Sequence, residues 1–312
     1  MARKNFLFLR KSVCRGSKFS LKECIYCGIK FNNNIWEWEC PACHKTPELS
    51  DDYLVFAPEL TKSNSGFRAE YFSQLACLEA KHFWFCSRNQ LILSAIKQYF
   101  SSATNFFEIG CGTGFVLSAI EKRFPSFSLY GSDIYIDGLN FAKQRLQRAA
   151  LFQMDARKIP FKNEFDVIGA FDIIEHIKDD ELVLSQMYSA TNEKGGIILT
   201  VPQHKFLWSQ FDTSSCHIRR YGLKELQKKV TNAGFHIIDS IPFVSLLLPL
   251  MIFTRLGKKV HNNKYDIMKD LTIKKMTNNI LEKVLNCERY LINRGIRFPF
   301  GGSLLLIARK SA

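Results

Sequence analysis

The sequence lacks both a long uninterrupted apolar run and a secretory signal. The apolar run from Ile241 to Phe253 is shorter than the roughly 20 residues that cross a bilayer, and Pro242 and Pro249 interrupt it. Near the N-terminus, residues 6–9 (FLFL) are too short for the apolar core of a signal peptide. We therefore expect a cytoplasmic protein whose ten cysteines stay reduced or bind metal.

Acidic residues are scarce relative to basic ones. The chain has 43 Lys and Arg against 29 Asp and Glu, which gives a formal net charge of +14. The excess lies at the two ends: residues 1–50 hold nine basic and four acidic residues, and residues 215–312 hold eighteen and six. Such ends suit an anionic substrate, a membrane headgroup or nucleic acid, although a merely solubilising surface explains them as well.

The central glycine-rich stretch lacks the patterns of phosphate-binding loops. Residues 106–115 (FFEIGCGTGF) contain neither G-x-G-x-x-G nor G-K-[ST]. An apolar run ends at Glu108, three glycines follow at alternate positions, and an amphipathic run begins at Val116. This order predicts a strand, a tight turn and a helix, which hold a nucleotide-sized ligand at the end of the strand. Glu108 would repel a phosphate and suits a cation such as an amino acid's ammonium.

Four cysteines near the N-terminus have the spacing of a zinc site. Two C-x-x-C pairs are separated by a segment that reads as a short hairpin with Phe31, Ile35, Trp36 and Trp38. Each pair can present two thiolates to one ion, and four thiolates make the tetrahedron that structural Zn²⁺ prefers. The predicted metal ligands of this zinc ribbon are Cys24, Cys27, Cys40 and Cys43.

From residue 104 the sequence alternates between strand and helix patterns. The predicted strands are Asn105–Ile109, Ser128–Ser132, Leu151–Met154, Asp166–Phe171, Ile197–Val201, His236–Ser240 and Gly301–Ala308. This series predicts an α/β fold with a mostly parallel sheet and helices on both faces. Acids stand at the ends of the first four strands: Glu108, Asp133, Asp155 and Asp172. Because ligands bind outside the carboxyl ends of such strands, these acids should face one crevice.

Several of these segments resemble the motifs of S-adenosylmethionine-dependent methyltransferases of the Rossmann-like class, small-molecule branch. The matching segments are 107–114 (FEIGCGTG), 131–134 (GSDI), 154–161 (MDARKIPF), 165–177 (FDVIGAFDIIEHI) and 194–202 (KGGIILTVP). They agree in order and spacing over about residues 82–310. The resemblance implies a seven-stranded sheet, with the last strand antiparallel between the fifth and sixth, and S-adenosyl-L-methionine as the cofactor.

The resemblance also implies which residues bind the cofactor. Glu108 and the glycine turn would hold the methionine part, and Asp172 would lie near it. Asp133 would accept from the ribose hydroxyls. Ile134, Asp155 and the backbone of Ala156 would contact adenine. The full set implied is Glu108, Gly110, Cys111, Gly112, Gly114, Asp133, Ile134, Asp155, Ala156 and Asp172.

The acceptor side is less defined by the sequence. His176 and His217 follow the fourth and fifth strands, and either is a candidate catalytic base or a structural residue. A dense polar loop supplies candidate substrate-binding residues, namely Trp208, Asp212, Arg219, Arg220 and Tyr221. The aromatic cluster 82–85 (HFWF) fits either the core or a lid over the ligand.

These patterns predict three regions: a zinc ribbon with a basic arm at 1–50, a linker at 51–66, and a methyltransferase domain at 67–312. A helical insertion at 243–297 begins with an apolar run followed by Arg255, Lys258 and Lys259, which suits a buried helix, a lipid pocket or peripheral membrane contact through 243–259.

The leading prediction is methyl transfer to a small or lipid-linked acceptor, with an anionic molecule among the candidates. The second is a ribosomal-RNA methyltransferase that grips phosphates with its ribbon, although the [DNS]-P-P-[YF] tetrad of many base-directed enzymes is absent after Asp172. The third is a non-catalytic S-adenosylmethionine-binding module. The oligomeric state is not defined by the sequence.

Overall fold

The structure is a computed structural model that describes residues 19–34, 37–60, 70–255 and 265–311. Several predicted features lie outside these residues: the basic arm, Ile35 and Trp36 of the hairpin, residues 61–66 of the linker, and Lys258 and Lys259.

A mixed sheet of nine strands forms the centre of the molecule, in the order β11-β12-β10-β9-β5-β6-β7-β4-β3. The strands of the described chain are β1 (Phe19–Glu23), β2 (Lys30–Asn34), β3 (Glu48–Ser50), β4 (Tyr53–Val55), β5 (Asn105–Ile109), β6 (Ser128–Asp133), β7 (Ala150–Gln153), β8 (Phe161–Lys162), β9 (Phe165–Phe171), β10 (Thr191–Pro202), β11 (Phe235–Phe243) and β12 (Ser303–Lys310). β12 is antiparallel to both β10 and β11, as the resemblance implied.

Helices cover both faces of this sheet. They are α1 (Glu70–Leu78), α2 (Phe83–Tyr99), α3 (Phe115–Arg123), α4 (Ile136–Arg145), α5 (Asp180–Ala190), α6 (Gln210–Ser214), α7 (Leu223–Asn232), α8 (Leu248–Arg255), α9 (Ile267–Leu271) and α10 (Lys275–Asn293). None of the helices in the described ranges is both long enough and apolar enough to span a membrane.

The strands are apolar on both sides because helices bury both faces. In β10, Ile197 and Leu199 contact the core under α5 and α7, whereas Ile198 contacts the opposite core under α2, α3 and α10. The fully buried Leu304, Leu305 and Leu306 of β12 alternate in the same way. This double burial explains why the pattern of these strands is a continuous apolar run rather than an alternation.

All seven predicted strands are present, and two further strands extend the sheet. β3 and β4 come from residues that the sequence assigned to the ribbon and the linker. β4 pairs in parallel with β7, with Leu54 opposite Phe152, and each of its three residues is buried. The apolar run at 53–57 (YLVFA) has no alternation, and periodicity alone cannot distinguish a buried strand from a buried helix segment in so short a run.

The cysteine-bearing N-terminal segment packs directly against the domain that contains the nine-stranded sheet. β1 pairs with β2 in a hairpin that turns through the first C-x-x-C pair, whereas the sequence placed the hairpin between the two pairs, where β2 is the only strand among the described residues. On its other side, β1 pairs with β8 through Leu21 and Lys162. Lys22 is fully buried there, and its ammonium donates to the backbone oxygens of Asn34 and Glu37 at 2.5 and 2.6 Å. Burial lowers the pKa of Lys22 to about 7.

Candidate functional site

The glycine turn between β5 and α3 has the geometry that its sequence predicts. Gly110, Gly112 and Gly114 all have positive φ, at 69°, 50° and 73°. A Cβ on Gly110 would lie 2.2 Å from Cδ1 of Ile173, so no larger residue fits without displacing that side chain. The turn therefore exposes backbone to a cavity at the carboxyl end of the strand.

Asp133, at the end of β6, is bound to this turn through the backbone. Its Oδ2 accepts from the Gly112 amide at 2.8 Å, and its Oδ1 accepts from the Tyr135 amide at 2.9 Å. Burial raises the pKa of Asp133 to about 6, although these amides favour the charged form.

Glu108 offers a carboxylate oxygen that has no partner within the described residues. The side chain is 2 % exposed and lines the cavity, and its Oε2 makes no hydrogen bond. Burial raises its pKa well above the usual range, while the charge of Arg88 opposes that shift. An unpaired buried acid beside a glycine cradle fits the ammonium of an amino-acid-bearing ligand.

Asp172, one residue after β9, has strained backbone and a fixed side chain. Its φ is 57°, in a region that residues other than glycine seldom adopt. The carboxylate pairs with Arg88 and accepts from Thr200 Oγ1 at 3.0 Å. Both Asp172 and Arg88 line the cavity. The strain thus places a charged pair beside the glycine turn.

The residues expected on the adenine side lie near the turn but outside the lining of the large cavity. Asp155 pairs with Arg157 at 2.8 Å, and Met154 donates its amide to the Asp133 carbonyl at 3.0 Å. Ile134 is half-buried and Ala156 is buried. This loop contacts the ribbon, because Lys158 donates to the Ile25 carbonyl at 2.6 Å.

A cavity of about 690 Å³ joins the glycine turn to the far polar loop. Its walls include Glu108 and Gly112 at one end, and His176 and His217 at the other. The aromatic cluster 82–85 lines it, so this cluster faces the ligand space rather than only the core. Apolar side chains of the insertion complete the wall, among them Leu247, Met251, Ile267, Met268 and Leu281.

Within the polar loop, His217 is held by a buried acid. Its Nδ1 lies 3.1 Å from Oδ1 of Asp212, which also accepts from Nε of Arg220 at 2.7 Å. Burial by itself would raise the pKa of Asp212, but the bonds from His217 and Arg220 hold it below its usual range. The carboxylate therefore fixes one ring nitrogen of His217 and leaves Nε2 free.

His176 meets His217 across this end of the cavity. The two ring centroids are 4.7 Å apart and the rings are nearly perpendicular. Burial lowers the pKa of His176 to about 4, and the neighbouring His217 acts in the same direction. At neutral pH, His176 is therefore a neutral imidazole.

Three of the five predicted substrate-binding residues do not line the cavity. Arg219 points to Asp180 at 2.5 Å, and the buried Tyr221 hydroxyl donates to the same carboxylate at 2.6 Å. Asp212 is fully buried behind His217. Only Trp208 and Arg220 of the set line the cavity. Segment 218–221 is extended, so neighbouring side chains point to opposite sides of it. The high proportion of polar residues in this loop did not show which of them face the cavity.

Three charged residues around the cavity were not predicted as site residues, although Arg255 was named as part of the predicted insertion. Arg88 stacks on Trp84, with its Cζ 4.7 Å from the ring centroid. Glu79 also lines the cavity, and it accepts from Thr113 Oγ1 at 2.6 Å, which fixes the glycine turn. Arg255, at the end of α8, lines the cavity and donates to the Leu207 carbonyl. The polar partners of these three residues, in turn Asp172, Thr113 and Leu207, lie far along the chain, so no local spacing identifies the contacts.

The four predicted cysteines of the ribbon converge as a metal site requires. Cys24 and Cys43 sulfurs are 3.7 Å apart, and those of Cys27 and Cys40 are 3.6 Å apart. A tetrahedron of thiolates at about 2.3 Å from Zn²⁺ has sulfurs roughly 3.7–3.8 Å apart. The spacing of the four sulfurs therefore fits a structural zinc ion.

Comparison with known proteins identifies relatives of the central region. A polyketide synthase, ThaQ of Burkholderia thailandensis, is 22% identical over 166 residues, which are 51% of this chain and 7% of that protein. Malonyl-[acyl-carrier protein] O-methyltransferase of Priestia megaterium is 21% identical over 114 residues, 36% of this chain and 42% of the relative. The chain thus spans less than half the length of these curated relatives.

Solved structures with similar chains include methyltransferases. A SAM-dependent methyltransferase from Archaeoglobus fulgidus has a TM-score of 0.47 and 19% identity, over 71% of this chain and 94% of that one. Phosphoethanolamine N-methyltransferase 2 of Haemonchus contortus, in complex with S-adenosyl-L-methionine, has a TM-score of 0.47 and 18% identity, over 72% and 53%.

The family model described as "Methyltransferase domain" matches residues 67–240. This range contains the glycine turn, the acid that binds it and the two candidate catalytic histidines. Because the match spans more than half of the chain, the chain belongs to this family and is an S-adenosylmethionine-dependent methyltransferase of the Rossmann-like class.

Proposed function

We propose that this enzyme methylates a hydroxyl oxygen of a small, anionic acceptor bound in the cavity. The observation that carries the proposal is that one cavity joins Glu108 and the glycine turn to His217, whose ring is oriented by Asp212. S-adenosylmethionine, when bound, supplies an electrophilic methyl group. A hydroxyl must lose its proton on methylation, and an oriented imidazole can activate it, directly or through a bound ion.

The cofactor end is proposed to work as follows. Glu108 and Asp172 flank the methionine part, while the backbone of Gly110, Cys111 and Gly112, which line the cavity, approaches the ligand closely. Gly114 shapes the same turn with its positive φ. Asp133 accepts from the ribose hydroxyls, and Ile134, Asp155 and Ala156 border adenine. Support comes from the unpartnered oxygen of Glu108 and from the turn amide that fixes Asp133.

An anionic acceptor is supported by two guanidiniums that line the far end. Arg220 is neutralised by Asp212, but Arg255 makes no ion pair with any described residue. Burial lowers the pKa of Arg255 to about 10, and the nearby charge of Arg220 adds to that shift. A carboxylate or phosphate on the acceptor would offset this unfavourable environment.

The apolar insertion supports an acceptor with a hydrophobic part, and we extend the proposal to lipid-linked molecules. α8 has no buried residue, and Phe253 and Leu250 are 76 and 50 % exposed. An exposed apolar helix that ends in Arg255 suits a peripheral membrane contact through 243–259. The relative named malonyl-[acyl-carrier protein] O-methyltransferase supports oxygen as the acceptor atom.

The test is incubation of the protein with radiolabelled S-adenosylmethionine and total lysate from a strain without the gene. Label in the organic or polar small-molecule pool, absent with His217→Asn, is the expected result. We expect His217→Asn to lower the rate by roughly 10²–10⁴-fold with cofactor affinity retained. His236→Asn, an exposed histidine on β11, is the matched control and keeps full activity.

Three outcomes would contradict the proposal. Label in the RNA pool would assign the protein to nucleic-acid methylation and make the basic ends its binding surface. Bound S-adenosylmethionine with no labelled pool would favour the non-catalytic module. Full activity of His217→Asn would remove the proposed role of the polar loop.

A further inference from the structure

Glu175 is a buried acid that the cofactor site does not explain. It lies in the short 3₁₀ turn Ile174–His176 after β9, and its side chain is completely buried. Neither carboxylate oxygen has a hydrogen-bond partner among the described residues. A buried carboxylate normally has partners, so two orphaned oxygens indicate a missing positive ligand or a missing donor.

Two imidazoles lie beside this carboxylate. Ligand atoms of Glu175, His176 and His217 all lie within 4.8 Å of one another, and His217 Nε2 is 4.0 Å from Glu175 Oε1. A metal ion with bonds of about 2.0–2.2 Å can bridge atoms at such separations after small side-chain adjustments. Because both histidines line the cavity, an ion and its ligands can reach them from the acceptor side.

The surroundings of His217 match those of a metal-binding histidine. Asp212 fixes its Nδ1 at 3.1 Å, which leaves the Nε2 lone pair directed toward Glu175. A carboxylate on the second ring nitrogen is the usual partner of a metal-bound histidine, because it sets the tautomer and strengthens the ligand. The Asp212–His217 pair can therefore orient the imidazole toward a metal ion as well as toward an acceptor hydroxyl.

The nearest guanidiniums do not neutralise Glu175. Arg88 is paired with Asp172, and Arg220 is paired with Asp212 at 2.7 Å. Both contribute only through longer-range charge interactions with Glu175. The buried carboxylate is therefore left for another cation.

We propose that Glu175, His176 and His217 bind one divalent transition-metal ion at the acceptor end of the cavity. Two imidazoles and one carboxylate suit Mn²⁺, Fe²⁺, Co²⁺ or Zn²⁺, and three protein ligands leave positions open to the cavity. This site is separate from the four cysteines, whose thiolates select softer ions such as Zn²⁺.

The ion's role rests on the proposed function and names the acceptor more closely. It binds the acceptor hydroxyl together with an adjacent carbonyl or carboxylate oxygen, and it lowers the hydroxyl pKa so that the proton passes to water. The oxygen lone pair then forms the O–CH₃ bond while the C–S pair returns to sulfur, giving S-adenosylhomocysteine. The preferred acceptor is therefore an α-hydroxy acid, a hydroxyketone or a catechol-like diol.

The test is a Mn²⁺ titration of the full chain with zinc already on its cysteines, with unbound Mn²⁺ followed by its EPR signal. Mn²⁺ prefers oxygen and imidazole ligands and does not compete for the thiolates. We expect one bound Mn²⁺ per wild-type chain. Glu175→Gln, which keeps the side-chain shape, should weaken binding at least about 100-fold, and Asp212→Asn about 10–100-fold.

Glu288→Gln is the matched control. Glu288 is a buried carboxyl on α10 that accepts from the Leu246 amide at 2.7 Å, outside the cluster, and its replacement should leave Mn²⁺ binding unchanged. Circular dichroism and S-adenosylmethionine affinity report the fold of each variant, and His176→Gln is a second variant should Glu175→Gln not fold.

Two results would overturn the site: no bound Mn²⁺ on the folded wild-type chain, or equal affinity in wild type and the folded Glu175→Gln or His176→Gln variant. The titration contains no acceptor and no cofactor. A negative methylation assay therefore removes the proposed function without removing the metal site, and a negative titration leaves His217 to act on the hydroxyl directly.

Discussion

The two ends of the cavity are assembled in different ways. The proposed cofactor end is built mainly from one contiguous turn, residues 110–114, with Asp133 bound to its backbone. The proposed acceptor end combines α2, the turn at 174–176, the loop at 208–220, and the helices at 248–255 and 267–293. The difference shows that backbone geometry defines the cofactor end, whereas packing between distant segments defines the acceptor end.

The largest expected effect is at the cofactor end. Gly110→Ala places a Cβ 2.2 Å from Ile173 in a residue whose φ is 69°. Because both the contact and the conformation are unfavourable, we expect a loss of roughly 2–4 kcal/mol shared between stability and cofactor binding. Isothermal titration calorimetry with S-adenosylmethionine measures the loss in cofactor binding, and thermal unfolding measures the loss in stability.

Gly295→Ala is the control for that change. Gly295 also has a positive φ, 91°, but a Cβ there would meet nothing within 4 Å. It should lose about 1 kcal/mol of stability with unchanged cofactor affinity. Equal losses of affinity in the two variants would mean that the turn does not approach the ligand.

A second prediction concerns pH. The pKa of Asp133 is about 6 in the folded chain and lies above its ordinary value, so the carboxyl is protonated as pH falls through 6. In its proposed role, the neutral acid could not accept from both ribose hydroxyls, and cofactor affinity should fall by up to about tenfold per pH unit below 6. Titration calorimetry between pH 5 and 8 measures it.

The same shift has a consequence for stability. Because the folded pKa lies above the unfolded one, the folded state binds more protons between them, and ionised Asp133 lowers the free energy of unfolding at neutral pH. The free energy of unfolding should therefore gain this contribution back as pH falls from about 6 toward 4 and Asp133 is protonated. Asp133→Asn should remove the pH step in cofactor affinity, and a step that persists there would assign the titration to another group.

The smallest expected effect distinguishes two arginines at the acceptor end. Arg255→Met keeps an apolar stem but removes the unpaired guanidinium, so the KM for an anionic acceptor should rise about tenfold with cofactor affinity unchanged. Arg219→Met removes a guanidinium that pairs with Asp180 outside the cavity. It should lower stability slightly and leave KM unchanged. A rise in KM for Arg219→Met alone would reverse the assignment.

Sequence alone defined the parts of this protein whose geometry is local. The strand Asn105–Ile109, the glycine turn and the cysteine spacing each depend on neighbouring residues, and the structure has all three as predicted. The antiparallel last strand and the methyltransferase family were also identified from motifs in order. Such features survive in sequence because backbone conformation and short spacings specify them.

Tertiary structure decided the remainder. β4 is a strand only because β7 lies beside it, and Arg219 differs from Arg220 only in the side of the segment that each occupies. The orphaned oxygens of Glu175 arise because neighbouring cations pair with other acids. These properties depend on contacts between residues far apart in the chain, and burial, which sets their charge and availability, has no signature in local sequence.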